Sequence, residues 1–191
     1  MGRPKLLLPI GGKSVIEWLV GTLRQASIDP ICVLCREDDR ALQIELRRLG
    51  IEPIIPSGDP ADMRESVTLL LHHIASTHHP KGNSGWMLIP ADHPFIPPDV
   101  LSEIVAEWER SPDQIVVPRH GNRRGHPTIF PWSMSEEALS IPSGQGLNSL
   151  LHHNANRVHE VVSDSASVLF DLDTPDDYAK AEALLVNQPE A

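Results

Sequence analysis

At 191 residues, 40% apolar and 22% charged, the chain is long enough to bury one full core, and a single domain spanning residues 1–191 is the expectation. Its formal charge of −10 argues against a general nucleic-acid binder, which needs clustered Lys and Arg on a net basic face, so an anionic ligand must be held by local charge. No apolar run approaches the ~20 residues of a membrane span, and the start Met1-Gly2-Arg3-Pro4-Lys5 lacks a signal-peptide pattern, which points away from membranes and to the cytoplasm.

Segments of two hydrophobic periodicities alternate along the chain, the pattern of strands joined by helices. Ser14-Val15-Ile16-Glu17 is a capping box, and Val15, Leu19, Val20 and Leu23 form one face of the helix it opens. A strand is expected at Ile31 to Leu34, then a helix with the stripe Leu42, Leu46 and Leu49 ended by Gly50, and a short strand at Pro53 to Pro56. Val67, Leu70, Leu71 and Ile74 mark the next helix, and His78 to Gly85 reads as a loop. Trp86-Met87-Leu88-Ile89 reads as a buried strand that runs into Pro90-Ala91-Asp92-His93-Pro94. Pro97-Pro98 opens a helix carrying Leu101, Ile104 and Trp108 inward. Strands follow near Gln114 to Val117 and Thr128 to Phe130 around the turn Gly121 to Gly125, then a helix at Leu147 to His152, strands at Arg157 to Val162 and Val168 to Leu172, and a last helix from Thr174-Pro175.

Asp92 lies where open α/β sheets bind ligands, at the carboxyl end of a strand, and a carboxylate there suits a hard divalent cation. Asp171 and Asp173, at i and i+2, project to one side and complete a clamp with Asp92 if the chain brings them together. The competing reading is that Asp92 caps a turn and that Asp173 or Thr174 caps the last helix. Cys32 and Cys35 sit three apart in a strand, point to opposite faces, and read as two reduced thiols; His72, His73, His78, His79, His152 and His153 lack matching ligand spacing and read as surface or helix residues.

Four phrases, Met1-Gly2-Arg3-Pro4-Lys5-Leu6-Leu7-Leu8-Pro9, Pro90-Ala91-Asp92-His93-Pro94, Arg124-Gly125-His126-Pro127 and Asp171-Leu172-Asp173-Thr174-Pro175-Asp176-Asp177, occur in this order along the chain. Together they resemble the molybdenum cofactor cytidylyltransferase family, the MobA-like NTP transferases. The resemblance implies a Rossmann-like, GT-A-like three-layer α/β/α sandwich with a mostly parallel central sheet. It also implies Mg2+ and transfer of a nucleoside monophosphate, CMP from CTP, onto molybdopterin or a related phosphorylated small acceptor with release of pyrophosphate. Lys5 then matches the lysine that reaches the triphosphate, together with Gly2, Arg3 and Ser66 as nucleotide contacts. Asp92 and Asp173 match the metal-holding acids, with Asp171 as a helper, and Arg124, Gly125 and His126 match the acceptor side. A structural turn histidine remains the other reading of His126. A molybdoenzyme or a chaperone is the implied protein partner. Two other functions stay open: transfer onto a sugar phosphate or another small phosphate, and a cofactor-binding or delivery protein without turnover.

The chain departs from the family pattern at two places. The pattern opens with an apolar strand and a loop L-A-A-G-x-S-x-R before M-G-x-x-K, whereas this sequence starts at Met1-Gly2, so the expectation is a longer natural polypeptide whose first strand fills the middle of the sheet. At Ala61-Asp62-Met63-Arg64-Glu65-Ser66, relatives carry a smaller G-M-S-x-S stretch. Bulky Arg64 and Glu65 there bear on acceptor and base more than on chemistry at Asp92.

Overall fold

Side-chain alternation along the strands sets the layering of the molecule, a computed structural model that describes residues 4–186. A 3-10 turn at Lys5–Leu7 leads into a hairpin of β1 (Pro9–Ile10) and β2 (Lys13–Ser14). Ser14 Oγ accepts from Glu17 N at 3.2 Å and opens α1 (Val15–Gln25), as the capping box predicts. Asp39 caps α2 (Arg40–Arg48) and Asp62 caps α3 (Met63–His78). Next come β3 (Gly85–Leu88) and α4 (Pro98–Arg110), whose first position is Pro98. The second half runs β4 (Ile115–His120), β5 (Arg123–Arg124), β6 (Thr128–Pro131), α5 (Ser135–Leu139), α6 (Asn148–His153), β7 (Val158–Val162) and α7 (Pro175–Val186).

In the main sheet β6 lies between β3 and β4, and Val116 of β4 faces Ile129 of β6 on one side and His159 of β7 on the other. Trp86 is buried with α3, α5 and α6, and Leu88 packs against the same cluster, while Met87 and Ile89 pack against the cluster built on α1, α2 and α4. Ile115 and Val116 divide in the same way, Ile115 toward α3 and α6 and Val116 toward Ile104 and Trp108 of α4. Period-2 alternation against helices on both faces is what makes the three-layer sandwich.

Three expectations are corrected among the described residues. The ladders β3–β6, β4–β6 and β4–β5 are antiparallel and β4–β7 is parallel, so the sheet is not mostly parallel. The short turn between β4 and β6 is the reason, since a connection of that length reverses the chain. The segments expected as strands at 31–34 and 53–56 share a single parallel bridge, Leu34 with Ile54. It is held by Cys35 N to Ile54 O and Ile54 N to Val33 O, both 2.9 Å, and an extended segment with one partner of that size does not build a ladder. The strand expected at Val168 to Leu172 starts instead as a 3-10 turn, Ala166–Leu169, because Ser165 Oγ accepts from Ser167 N and closes the chain locally.

Between the extended segment and β3 lies a cavity of about 510 Å³ bordered by Ile31, Leu70, Ile74, Met87, Ile89 and Trp108. All four residues of the α3 stripe, Val67, Leu70, Leu71 and Ile74, border the cavity, and Val67 and Leu71 are the buried pair.

Candidate active site

Lys5 stands in the 3-10 turn before the first hairpin, Asp92 in the turn that follows β3, and Asp173 two residues before α7. The Lys5 ammonium donates to Asp92 Oδ2 at 2.8 Å and to Asp173 Oδ1 at 2.5 Å, joining positions 87 and 168 residues apart. Two local features allow this. Leu172 N donates to Asp92 O at 3.0 Å, which pins the chain ahead of α7 onto the Asp92 turn. Thr174 and Asp177 then cap α7 reciprocally, Asp177 N donating to Thr174 Oγ1 at 3.2 Å and Thr174 N to Asp177 Oδ2 at 3.0 Å. Thr174 supplies the cap that the competing reading gave to Asp173 or Thr174, and the Asp173 carboxylate is left to Lys5.

Partial burial alone lowers the Lys5 pKa, but the hydrogen bonds to Asp173 and Asp92 and their charges more than offset it, so the ammonium is held above its ordinary range. Asp171 does not join the Lys5 ion pairs. Its charge is felt by two histidines behind the site, His93 and His126. These rings meet edge to face with centroids 4.7 Å apart, and Nδ1 of each is buried without a hydrogen-bond partner among the described residues. Burial lowers both pKa values, His126 to about 4, so the pair is neutral at pH 7. His93 Nε2 lies 3.9 Å from Asp92 Oδ1. Sequence reasoning quoted His93 within its motif and gave it no role; only its burial and its contact with His126 reveal it.

Gly125 is buried, and a Cβ there would meet Val168 O at 2.2 Å, so the turn approaches the 3-10 segment as only glycine can. His126 N donates to Val168 O at 2.8 Å across the same contact. Arg124 is exposed, and its Nε donates to Glu160 Oε1 at 2.7 Å, while Arg119 Nε lies 2.9 Å from Glu160 Oε2. One glutamate is thus shared by two arginines, Arg119 and Arg124, which leaves the cluster one net positive charge. Glu160 was not singled out from the sequence, because a partner 36 residues away leaves no local pattern.

Ser66 lies in the first turn of α3, where its hydroxyl donates to Asp62 O at 3.1 Å; no hydrogen bond or ion pair among the described residues joins it to Lys5, Asp92 or Asp173. The bulky 61–66 stretch has a local explanation, since Glu65 N donates to Asp62 Oδ1 at 2.8 Å and Ala61 N to Glu65 Oε2 at 2.7 Å, a capping box at the helix start. Gly2 and Arg3 lie outside the described residues.

Chemically, two carboxylates gathered on one positive charge offer the hard oxygen donors that a divalent cation takes, so Asp92 and Asp173 fit such an ion. A lysine at the same spot suits a polyphosphate, which needs positioning and neutralisation more than a nucleophile.

Known proteins resemble this chain in sequence and fold. The chain is 27% identical over 199 residues, 99% of its length and 87% of the other's, to a molybdenum cofactor guanylyltransferase from Rhodopseudomonas palustris (strain HaA2). It superposes on the crystal structure of Rv0371c from Mycobacterium tuberculosis H37Rv with a TM-score of 0.80 at 24% identity, covering 96% of this chain and 91% of that one. The manganese complex of Rv0371c gives a TM-score of 0.73 at 25% identity over 95% and 93% of the two chains. Residues 1–160 match the MobA-like NTP transferase domain, and the chain belongs to that family of nucleotidyltransferases.

Proposed function

We propose that the chain moves a nucleoside monophosphate from a nucleoside triphosphate onto the phosphate of molybdopterin or a closely related small acceptor, with a magnesium or manganese ion held by Asp92 and Asp173. The observation that carries this reading is the convergence of Lys5, Asp92 and Asp173. An acceptor phosphate oxygen forms the new bond to the α-phosphorus, the bond from that phosphorus to the bridging oxygen breaks, and pyrophosphate leaves with both electrons of the broken bond. The cation, when bound, neutralises and polarises the phosphate oxygens. Lys5 supplies a fixed positive charge to the same oxygens. At 4 Å one such charge pair contributes about 4 kcal/mol at an effective dielectric near 20, enough locally to offset the repulsion from a chain of charge −10. His93 and His126, neutral and packed together, keep the Asp92 turn in place and add no positive charge. Arg123 and Arg124 receive the acceptor phosphate, and Gly125 lets their turn lie close to the segment that carries Asp171 and Asp173.

For the base, the sequence phrases favour CTP, and the Rhodopseudomonas relative, named a guanylyltransferase, favours GTP as the second reading. Free thiols at Cys32 and Cys35 and a triphosphate substrate support a cytoplasmic reaction as part of this reading. The test is pyrophosphate release by the full chain with CTP, GTP, ATP and UTP, each with molybdopterin and with magnesium or manganese. Release with one nucleotide that needs both acceptor and metal is expected. Binding of molybdopterin with no release from any nucleotide overturns the reading in favour of a delivery protein.

A further inference from the structure

Cys32, His73 and His78 read from the sequence as unrelated residues, yet the fold brings them together away from Asp92. The extended segment turns Ile31 and Val33 toward α1 and α2, which leaves Cys32 facing the other layer, where α3 ends. His73 and His78 both belong to α3, His78 being its last residue, and their rings meet edge to face with centroids 6.3 Å apart. The thiol and the two imidazoles offer one ligand atom each, all within 4.8 Å of one another, and Cys32 Sγ lies 3.9 Å from His78 Nε2. Among the described residues no other set of three His, Cys, Asp or Glu gathers this closely.

We propose that these three residues are a zinc site. Tetrahedral zinc with bonds of about 2.3 Å to sulfur and about 2.0 Å to nitrogen sets its sulfur and nitrogen ligands roughly 3.6 Å apart, so the Cys32–His78 distance needs only a small closure. One thiolate and two imidazoles are the donor class that zinc prefers over magnesium or calcium, whose ligands are oxygens. On binding, the Cys32 S–H proton passes to solvent as the sulfur–zinc bond forms, and both histidines bind as neutral imidazoles.

The surroundings fit an ion with one coordination position left over. Two cavities meet at the cluster, the apolar one of about 510 Å³ and a second of about 260 Å³ that Asp29 and Glu52 also border. The fourth position faces that space, where a water or a small anionic or thiol ligand completes the tetrahedron. The ion would also tie the extended segment to the end of α3. Beyond the packing of Ile31 and Val33, that segment pairs through a single isolated bridge, so zinc binding adds a second anchor to it.

Cobalt titration of the full chain tests the site, because a tetrahedral cobalt thiolate shows a near-ultraviolet charge-transfer band that an all-oxygen site lacks. One equivalent of cobalt per chain is expected to raise this band, and zinc is expected to displace it. Cys32→Ser should abolish the band. His73→Asn and His78→Asn should each weaken cobalt binding by more than the roughly 10- to 100-fold that loss of a supporting partner costs. Asp92→Asn with Asp173→Asn should leave the band unchanged, which separates this site from the proposed catalytic one, and Cys32→Ser should leave pyrophosphate release unchanged when that is measured without zinc. Absence of the band in the parent chain, or a band that survives Cys32→Ser and so belongs to Cys35, overturns the proposal.

Discussion

Replacing Gly125 by Ala is a sharp test of how the turn supports the site. Gly125 is not among the glycines at positive φ, so alanine meets no backbone penalty and its effect is steric. The new Cβ would sit 2.2 Å from Val168 O, 2.8 Å from Val168 C and 3.0 Å from Val168 Cβ. The main chain cannot rotate aside as a side chain can, so residues 166–172 must retreat by about 1 Å to reach contact distance. Overpacking of this kind costs about 1–3 kcal/mol, and parting His126 N from Val168 O leaves a buried amide at about 1–3 kcal/mol more. A loss of about 2–6 kcal/mol is expected as a lower urea midpoint at constant slope. The same retreat pulls on Leu172, whose amide holds Asp92 O, and so shifts Asp173 relative to Asp92. A misplacement of about 1 Å lowers turnover on the order of 100-fold. Urea unfolding and pyrophosphate release, measured on one preparation at a temperature where the variant stays folded, read both effects. A variant within about 0.5 kcal/mol of the parent and fully active would refute the reasoning.

Asp92→Asn should leave stability within about 1 kcal/mol, because the Lys5 pair is partly open to solvent, while lowering metal-dependent turnover by about 100-fold or more; unaltered turnover removes Asp92 from the site. The pH profile of stability follows from His126: it titrates near 6.5 when unfolded but at about 4 when folded, burial being the main cause. The unfolded chain therefore takes up the proton first as pH falls, so stability is whole above about pH 6.5 and drops toward pH 4 by up to about 3 kcal/mol. Urea midpoints between pH 7 and 4 should fall less steeply for His126→Gln than for the parent, and equal slopes would contradict the buried neutral pair. Arg124→Ala should raise the acceptor KM about tenfold, from loss of one charge-assisted contact, and leave the nucleotide KM unchanged; a change confined to the nucleotide would put Arg124 on the wrong substrate.

Much of this could be read from the chain alone where the cause is local. Ser14 with Glu17, Pro98 at a first helical position and Thr174-Pro175 at the start of the last helix each mark a helix start within four residues, and all three stand in the structure. Lys5, Asp92 and Asp173 came from short phrases in a recurring order, and they do converge. What escaped depends on distant partners. The Val168 to Leu172 run has the apolar character of a strand, but Ser165 closes a 3-10 turn before a ladder can form. Glu160 joins Arg119 and Arg124, and His93 meets His126, through tertiary packing that no spacing rule encodes. Cys32 and the α3 histidines were set aside because metal patterns are sought along the sequence, whereas theirs exists across two layers.

Among the described residues, β3 has β6 along one margin and, across from it, the hollow beside Ile31. Its second row of amides and carbonyls therefore borders a mainly apolar hollow. An unpaired margin of that sort is a template for a further stretched chain, so any association through β3 would need the hollow to open first and would meet only the general repulsion of a charge of −10.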